Sequence, residues 1–191
     1  MRLAAGKHIE MRKIGFMLCI LLYFRTPEVA AQAVRVGLGG AKPAAALGGS
    51  VTLTAAPAFV SFRLISKGVA TSSAGVGVTT TWTGLSRLCK LNLYGYFSSA
   101  GAALTDGSPA TNIPTSAVLG QMSRGLPTAY TPFTQSNPIA GASLLLYCEL
   151  FMMGANGSRT DTLNLEINLE DLPQLPAGTY TGTLYLQAQM L

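Results

Sequence analysis

One histidine and three cysteines, His8, Cys19, Cys89 and Cys148, are all that this chain of 191 residues offers for the commonest nucleophilic and metal chemistry. His8 and Cys19 fall in a stretch that reads as a removable export signal, so the mature chain keeps two cysteines and no histidine. Without histidine there is no Ser-His-Asp or Cys-His site, nor the His-rich zinc site of most metallohydrolases. Charged residues are few, at 11%. Glu166 and Glu170 share a strand face, but four residues at about 3.3 Å each put their backbones about 13 Å apart, beyond the reach of a glycosidase pair. Asp106, Glu149, Asp161 and Asp171 are scattered, with no acidic cluster of the calcium-loop kind. A Gly-rich phosphate loop with its Lys is also missing. These absences predict a protein that is not an enzyme, with no catalytic residue, cofactor or metal.

Clustered positive charge is lacking as well. Thirteen Lys and Arg stand against eight Asp and Glu, but five of the thirteen and two of the eight lie in residues 1–31, which leaves eight against six, a net of +2. The remaining cations (Arg35, Lys42, Arg63, Lys67, Arg87, Lys90, Arg124, Arg159) are spread out, which argues against a nucleic-acid partner. Long apolar runs are absent too: "IGFMLCILLYF", Ile14 to Phe24, has eleven residues, where a bilayer span needs about 20. It follows basic Arg12 and Lys13 and precedes the small-residue stretch "RTPEVAAQA", the layout of a secretory signal peptide. Cleavage is expected after Ala31 or Ala33, with translation starting at Met1 or Met11. Cys19 lacks the small residues that a lipidation site wants before it. The expectation is a secreted protein of the periplasm or cell surface with no membrane span after cleavage. Residues 1–31 are then the signal peptide, 32–49 an N-terminal extension and linker, and 50–191 one domain, with enough chain for a real core.

What the chain has in quantity is alternation. "SVTLTA" sets Val51 and Leu53 on one side, "FVSFRL" sets Val60, Phe62 and Leu64, and "GVGVTTTW" sets Val76, Val78 and Trp82. "LCKLNLYGYF" places Cys89, Leu91, Leu93 and Phe97 against Lys90, Asn92, Tyr94 and Tyr96, and "TLNLEINLE" places Leu163, Leu165, Ile167 and Leu169 against Asn164, Glu166, Asn168 and Glu170. In the closing run, Tyr180, Gly182, Leu184, Leu186, Ala188 and Met190 oppose a wholly polar face. A period of two marks strands with one face on a core. About seven such strands, separated by turn residues, predict an immunoglobulin-like antiparallel β-sandwich, with "DLPQLPAG" joining the last two strands as neighbours. Segment 98–141 resists the scheme, being rich in small residues and turn formers. Loops beyond about 15 residues are uncommon, so short strands are expected near 102–105 and 116–122, in a crossover or a binding loop.

Cys89 and Cys148 each fall on the apolar phase of their runs, Cys148 with Leu144, Leu146 and Leu150. In an oxidising envelope this predicts a Cys89–Cys148 disulfide, against the alternative of two buried free thiols. "SLLLYCELFMM" is apolar on both faces apart from Glu149. Tyr94, Tyr96, Tyr147 and Phe151 would form a partner or ligand surface if exposed together, unless segment 98–141 covers them.

In "LPAGTYTGTLYLQAQ", Pro176, Gly178 and Tyr180 stand at Pro-x-Gly-x-Tyr spacing before the last strand. The stretch is similar to the closing hairpin of secreted bacterial immunoglobulin-like subunits, among them fimbrial subunits and spore coat protein U-like proteins. Trp82 departs from the antibody-type pattern by preceding both cysteines. The resemblance implies a final strand that completes a sheet, in a structural or adhesive surface protein assembled as a fibre or coat, without a cofactor. Its partners would be further copies of itself or other envelope subunits. The rival reading is a secreted carbohydrate-binding sandwich module, with a glycan on an aromatic platform. Fimbrial subunits complete a neighbour's sheet with an N-terminal extension, and in "AVRVGLGG" Val34, Val36 and Leu38 alternate with Arg35, Gly37 and Gly39. These three apolar residues are a candidate donor segment; the other reading is the domain's own first strand.

Overall fold

The computed structural model describes residues 32–39, 50–84, 89–152 and 155–191, without the side chains of 32–35 and 89. The expected signal peptide and the linker at 40–49 lie outside the described residues.

All seven runs read from the sequence are strands, and four more join them. In chain order they are β1 (Gln32–Leu38), β2 (Ser50–Ala56), β3 (Phe59–Leu64), β4 (Val69–Thr71), β5 (Val76–Thr83) and β6 (Cys89–Tyr96), then β7 (Val118–Met122), β8 (Thr131–Pro132), β9 (Ser143–Phe151), β10 (Gly157–Asn168) and β11 (Thr179–Met190). One sheet runs β3-β1-β11-β6-β9, and the other runs β2-β5-β10-β7-β8 with β4 also on β10. Every pairing is antiparallel except β1 on β11. The sheets face each other across one core that holds Val36, Phe62, Val78, Leu91, Leu165, Tyr180 and Leu186 among others. Alternation makes this core. In β10, Asp161, Leu163, Leu165 and Ile167 are buried and their even-numbered neighbours are not.

The last two strands are not neighbours, contrary to the hairpin expected from "DLPQLPAG". β10 has β5 and β7 at its sides, and β11 has β1 and β6, so residues 169–178 cross between sheets instead. Tyr180 anchors the landing. Its hydroxyl donates to the Pro176 carbonyl at 3.1 Å while its ring is fully buried at the start of β11. This is the bond of a tyrosine corner, and it gives the Pro-x-Gly-x-Tyr spacing a physical purpose.

Segment 98–141 is part of the core. Leu104, Ile113, Val118 and Phe133 are fully buried, and β7 falls within the stretch expected to be a strand, while Leu104 and Thr105 form single bridges. Phe133 packs edge-on to Phe97, with centroids 5.3 Å apart. Glycines make its room in both sheets: a Cβ at Gly95 would lie 3.1 Å from Phe133 Cε1, and one at Gly120 would lie 3.1 Å from Cε2 and 2.9 Å from Leu144. Thr115 ties the segment's ends together, its hydroxyl reaching the carbonyls of Ala100 at 3.1 Å and Gly141 at 2.7 Å.

Candidate assembly surface

The strand that carries the candidate donor residues is held on both sides. β1 pairs with β3 from Gln32↔Leu64 to Gly37↔Phe59, and with β11 from Ala33↔Thr179 to Leu38↔Leu184. Val34 stands at the level of Tyr180 and Val36 at the level of Gly182. Val36 is fully buried and Leu38 packs partly against the core, while the Val34 side chain lies outside the described residues. In this chain, therefore, the segment is an internal strand of its own sheet. Gly182, level with Val36 on β11, leaves room instead for segment 98–141, because a Cβ there would collide with the Ala103 carbonyl.

The four aromatic residues expected to form one surface are divided between the two sides of the sheet. Tyr94 and Tyr96 lie on its outer side but are only 8% and 9% exposed. Residues 135–143 run alongside: Asn137 donates to the Tyr94 hydroxyl at 3.1 Å and to Gln189 at 3.2 Å, and Gln135 accepts from the Leu145 N–H at 2.7 Å. Tyr96 stacks on Tyr185 at 5.3 Å. Tyr147 and Phe151 instead point into the sandwich, Phe151 lying 4.5 Å from the Trp82 ring. No shared platform results.

A bulge causes this division. Leu93 pairs with Tyr147 but Tyr94 pairs with Leu145, so Leu146 is an extra residue and the inward phase of β9 changes from Leu144 and Leu146 to Tyr147 and Phe151. Cys148 is thereby moved off the core phase that its sequence neighbours suggested. It is half-buried, Leu150 is 62% exposed, and Asn92 rather than Cys89 stands opposite Cys148. Among the described side chains Cys148 has no disulfide partner. Cys89 pairs with Phe151, three residues along the ladder, which is about 10 Å, more than the roughly 7 Å that a bridge spans between Cα atoms. The Cys89 side chain is outside the described residues.

Charge gathers at one end of the sandwich, where the sequence showed no cluster. Arg159 and Asp161 keep the inward phase of β10 beyond Leu163. The guanidinium bonds Asp161, Nε to Oδ2 at 2.5 Å, and the Arg124 carbonyl; it lies 3.8 Å from Glu149 and 4.4 Å from the Tyr147 ring centroid. Its charge is met by two carboxylates and a ring face, which suits a plug closing the core better than a site awaiting an anion. Asp106 and Glu166 show opposite electrostatics. The Thr111 hydroxyl, then the Ser108 N–H, hold the Asp106 carboxyl below its ordinary range. Burial, then the charge of Glu170, pushes Glu166 up.

Among the described residues, no group of three or more His, Cys, Asp or Glu could hold a metal ion, and no helix is long and apolar enough to cross a membrane. A cleft of about 210 Å³ between Ser116, Leu119, Asn168 and Asp171 is smaller than a typical ligand pocket. The chemistry that the fold displays most plainly is main-chain pairing at strand slots and edges. Fold and slot together define a β-sandwich with an interior N-terminal strand. A scan of protein-family models finds no match to the chain, and a search of curated proteins finds no relative.

Proposed function

We propose that the chain is a non-catalytic secreted surface protein, structural or adhesive, which acts as a subunit of a fimbria-like or coat assembly and links to its neighbours by lending β1. The observation that carries this reading is the slot itself. β1 makes two ladders, to β3 and β11, with strands of the first sheet, whereas β2, the next strand in sequence, belongs to the opposite sheet. Between them lies the stretch "GAKPAAALGG", a loose tether by composition. A strand held this way can leave its own sheet and enter the same slot of a second copy with every main-chain bond preserved, so exchange costs little once the slot is open. The closing-hairpin resemblance to fimbrial and coat subunits supports the same reading. The glycan-module reading needs an exposed aromatic platform, and the burial of Tyr94, Tyr96, Tyr147 and Phe151 does not favour it.

The test deletes Val34 to Gly39 and supplies a peptide of residues 32–39 in trans. A donor strand predicts that the truncated protein no longer forms assemblies larger than a dimer and that it binds the peptide with a gain in thermal stability. Assemblies larger than a dimer that persist in the truncated protein, or a folded truncated protein indifferent to the peptide, would overturn the reading.

A further inference from the structure

Of the four strands that end the two sheet orders, three are protected. β3 has a partner along its outer side where Ser61 and Ser73 exchange bonds, the Ser73 N–H reaching the Ser61 carbonyl at 2.8 Å, and Arg63 is exposed beside them. β9 is flanked by Gln135, whose N–H donates to the Ser143 carbonyl at 2.8 Å, and carries Glu149 further along. β8 is two residues long and contains Pro132. These are familiar devices for blocking edge-to-edge association.

β2 has none of them. Among the described residues it is paired on one side only, with β5, over all seven of its positions. "SVTLTAA" contains no charge and no proline, and no register shift interrupts its ladder. Alternate residues of such a strand aim N–H and C=O groups away from the sheet. Thr52 and Thr54 are exposed on its outer side, and Leu53 is only partly buried against the core.

We propose that β2 is a self-association edge: the β2 strands of two copies pair antiparallel about a two-fold axis through Leu53, joining two six-stranded sheets into one. The axis follows from length and phase. Leu53 is the centre of Ser50–Ala56, so this register alone pairs all seven residues, and it keeps outer side with outer side. Thr52 then lies opposite Thr54 of the second copy, and Leu53 meets Leu53, covering the part of each side chain that the monomer leaves open. The hydroxyl rows support the match. Within one chain Thr52, Thr81 and Ser158 stand level, as do Thr54, Thr79 and Thr160, with hydroxyl contacts of 3.1 Å between Thr81 and Ser158 and 2.7 Å between Thr79 and Thr160. Pairing at Leu53 runs each row of one copy into the other row of its mate, with no like charges brought together. A second copy is therefore the occupant that the edge fits. This contact involves a strand other than β1 and does not depend on exchange of β1.

Sedimentation of the full chain, refolded at high dilution so that β1 closes its own slot, tests it, with double substitutions at the two exposed threonines. The wild type should show reversible monomer–dimer behaviour. Thr52→Lys/Thr54→Lys should be monomeric where the wild type is dimeric, as should Thr52→Asp/Thr54→Asp, each keeping the wild-type circular dichroism spectrum. Mixing the two variants should restore a dimer, because each Lys then faces an Asp. Should both double variants lose the fold, the single Thr54→Lys chain is read in the same way. A wild type that stays monomeric, a Lys variant that still dimerises, or a mixture that fails to recombine would each overturn the proposal.

Discussion

Phe133 shows how far single residues set this core. It enters from segment 98–141, outside the two short strands expected there, and it fits because Gly95 and Gly120 leave space in opposite sheets. Phe133→Ala should cost about 3–5 kcal/mol through the cavity it leaves. Gly120→Ala should cost about 1–3 kcal/mol, because its methyl would press on Leu144 and Phe133. Urea unfolding checks both as lowered midpoints with little change in slope. Asp106 carries a pH signature. Its folded carboxyl holds a proton less tightly than the unfolded one, whose ordinary value is 3.8, because Thr111 and Ser108 donate to the charged form. Its contribution is therefore present above that value and lost as pH falls through the lower folded value. Asp106→Asn should lower the melting temperature at pH 7, and the gap to the wild type should close in acid. Glu166 has the opposite sign, since burial and Glu170 raise its folded value. Glu166→Gln should raise stability at neutral pH, with the gain fading as acid protonates the wild-type carboxyl. Thermal melts of both variants across pH read the two signs. At Cys148 the outcome is chemical: alkylation under denaturing, non-reducing conditions should label it, and absence of label would mean that it is bridged.

The elements were legible wherever period two ran undisturbed. β5, β10 and β11 alternate for eight or more residues, and their buried sides are those that the sequence marks. β4 and β8, at three and two residues, are too short to show any period. The position of β7 was foreseen because so long a segment without structure is improbable in a compact domain. Alternation also fails to say which strand lies beside which, since it reports facing and not partnership. That is why "DLPQLPAG" read as a hairpin although it bridges the two sheets. In β9 a single bulged residue, Leu146, reverses the phase for everything after it. The expected positions of Cys148, Leu150, Tyr147 and Phe151 all changed with that one residue, and with them the expected aromatic surface. Arg159 and Asp161 escaped notice for a related reason: inward charges at a strand's end look like an exposed face until Glu149 and Tyr147 arrive from the other sheet. At this scale the Tyr180 corner predicts that Tyr180→Phe loses about 1 kcal/mol, read by urea unfolding, as the Pro176 carbonyl loses its donor.

For the molecule as a whole, the account rests on how its two sheets are completed. One sheet places the N-terminal strand between two others, and the other leaves β2 open on one side among the described residues. A slot filled by a strand on a tether and an uncharged edge both suit a protein whose task is to join copies of itself, and neither requires a pocket, a metal or a nucleophile. The central claim is that β1 can be exchanged between copies. Electron microscopy of the intact protein, refolded from denaturant at increasing concentration, tests it most directly, because refolding opens every slot at once and concentration decides whose strand returns. The account predicts linked oligomers or filaments that grow with concentration beyond the dimer and that fall back to at most a dimer when Val34 to Gly39 are deleted. Single, separate sandwiches at every concentration would contradict it.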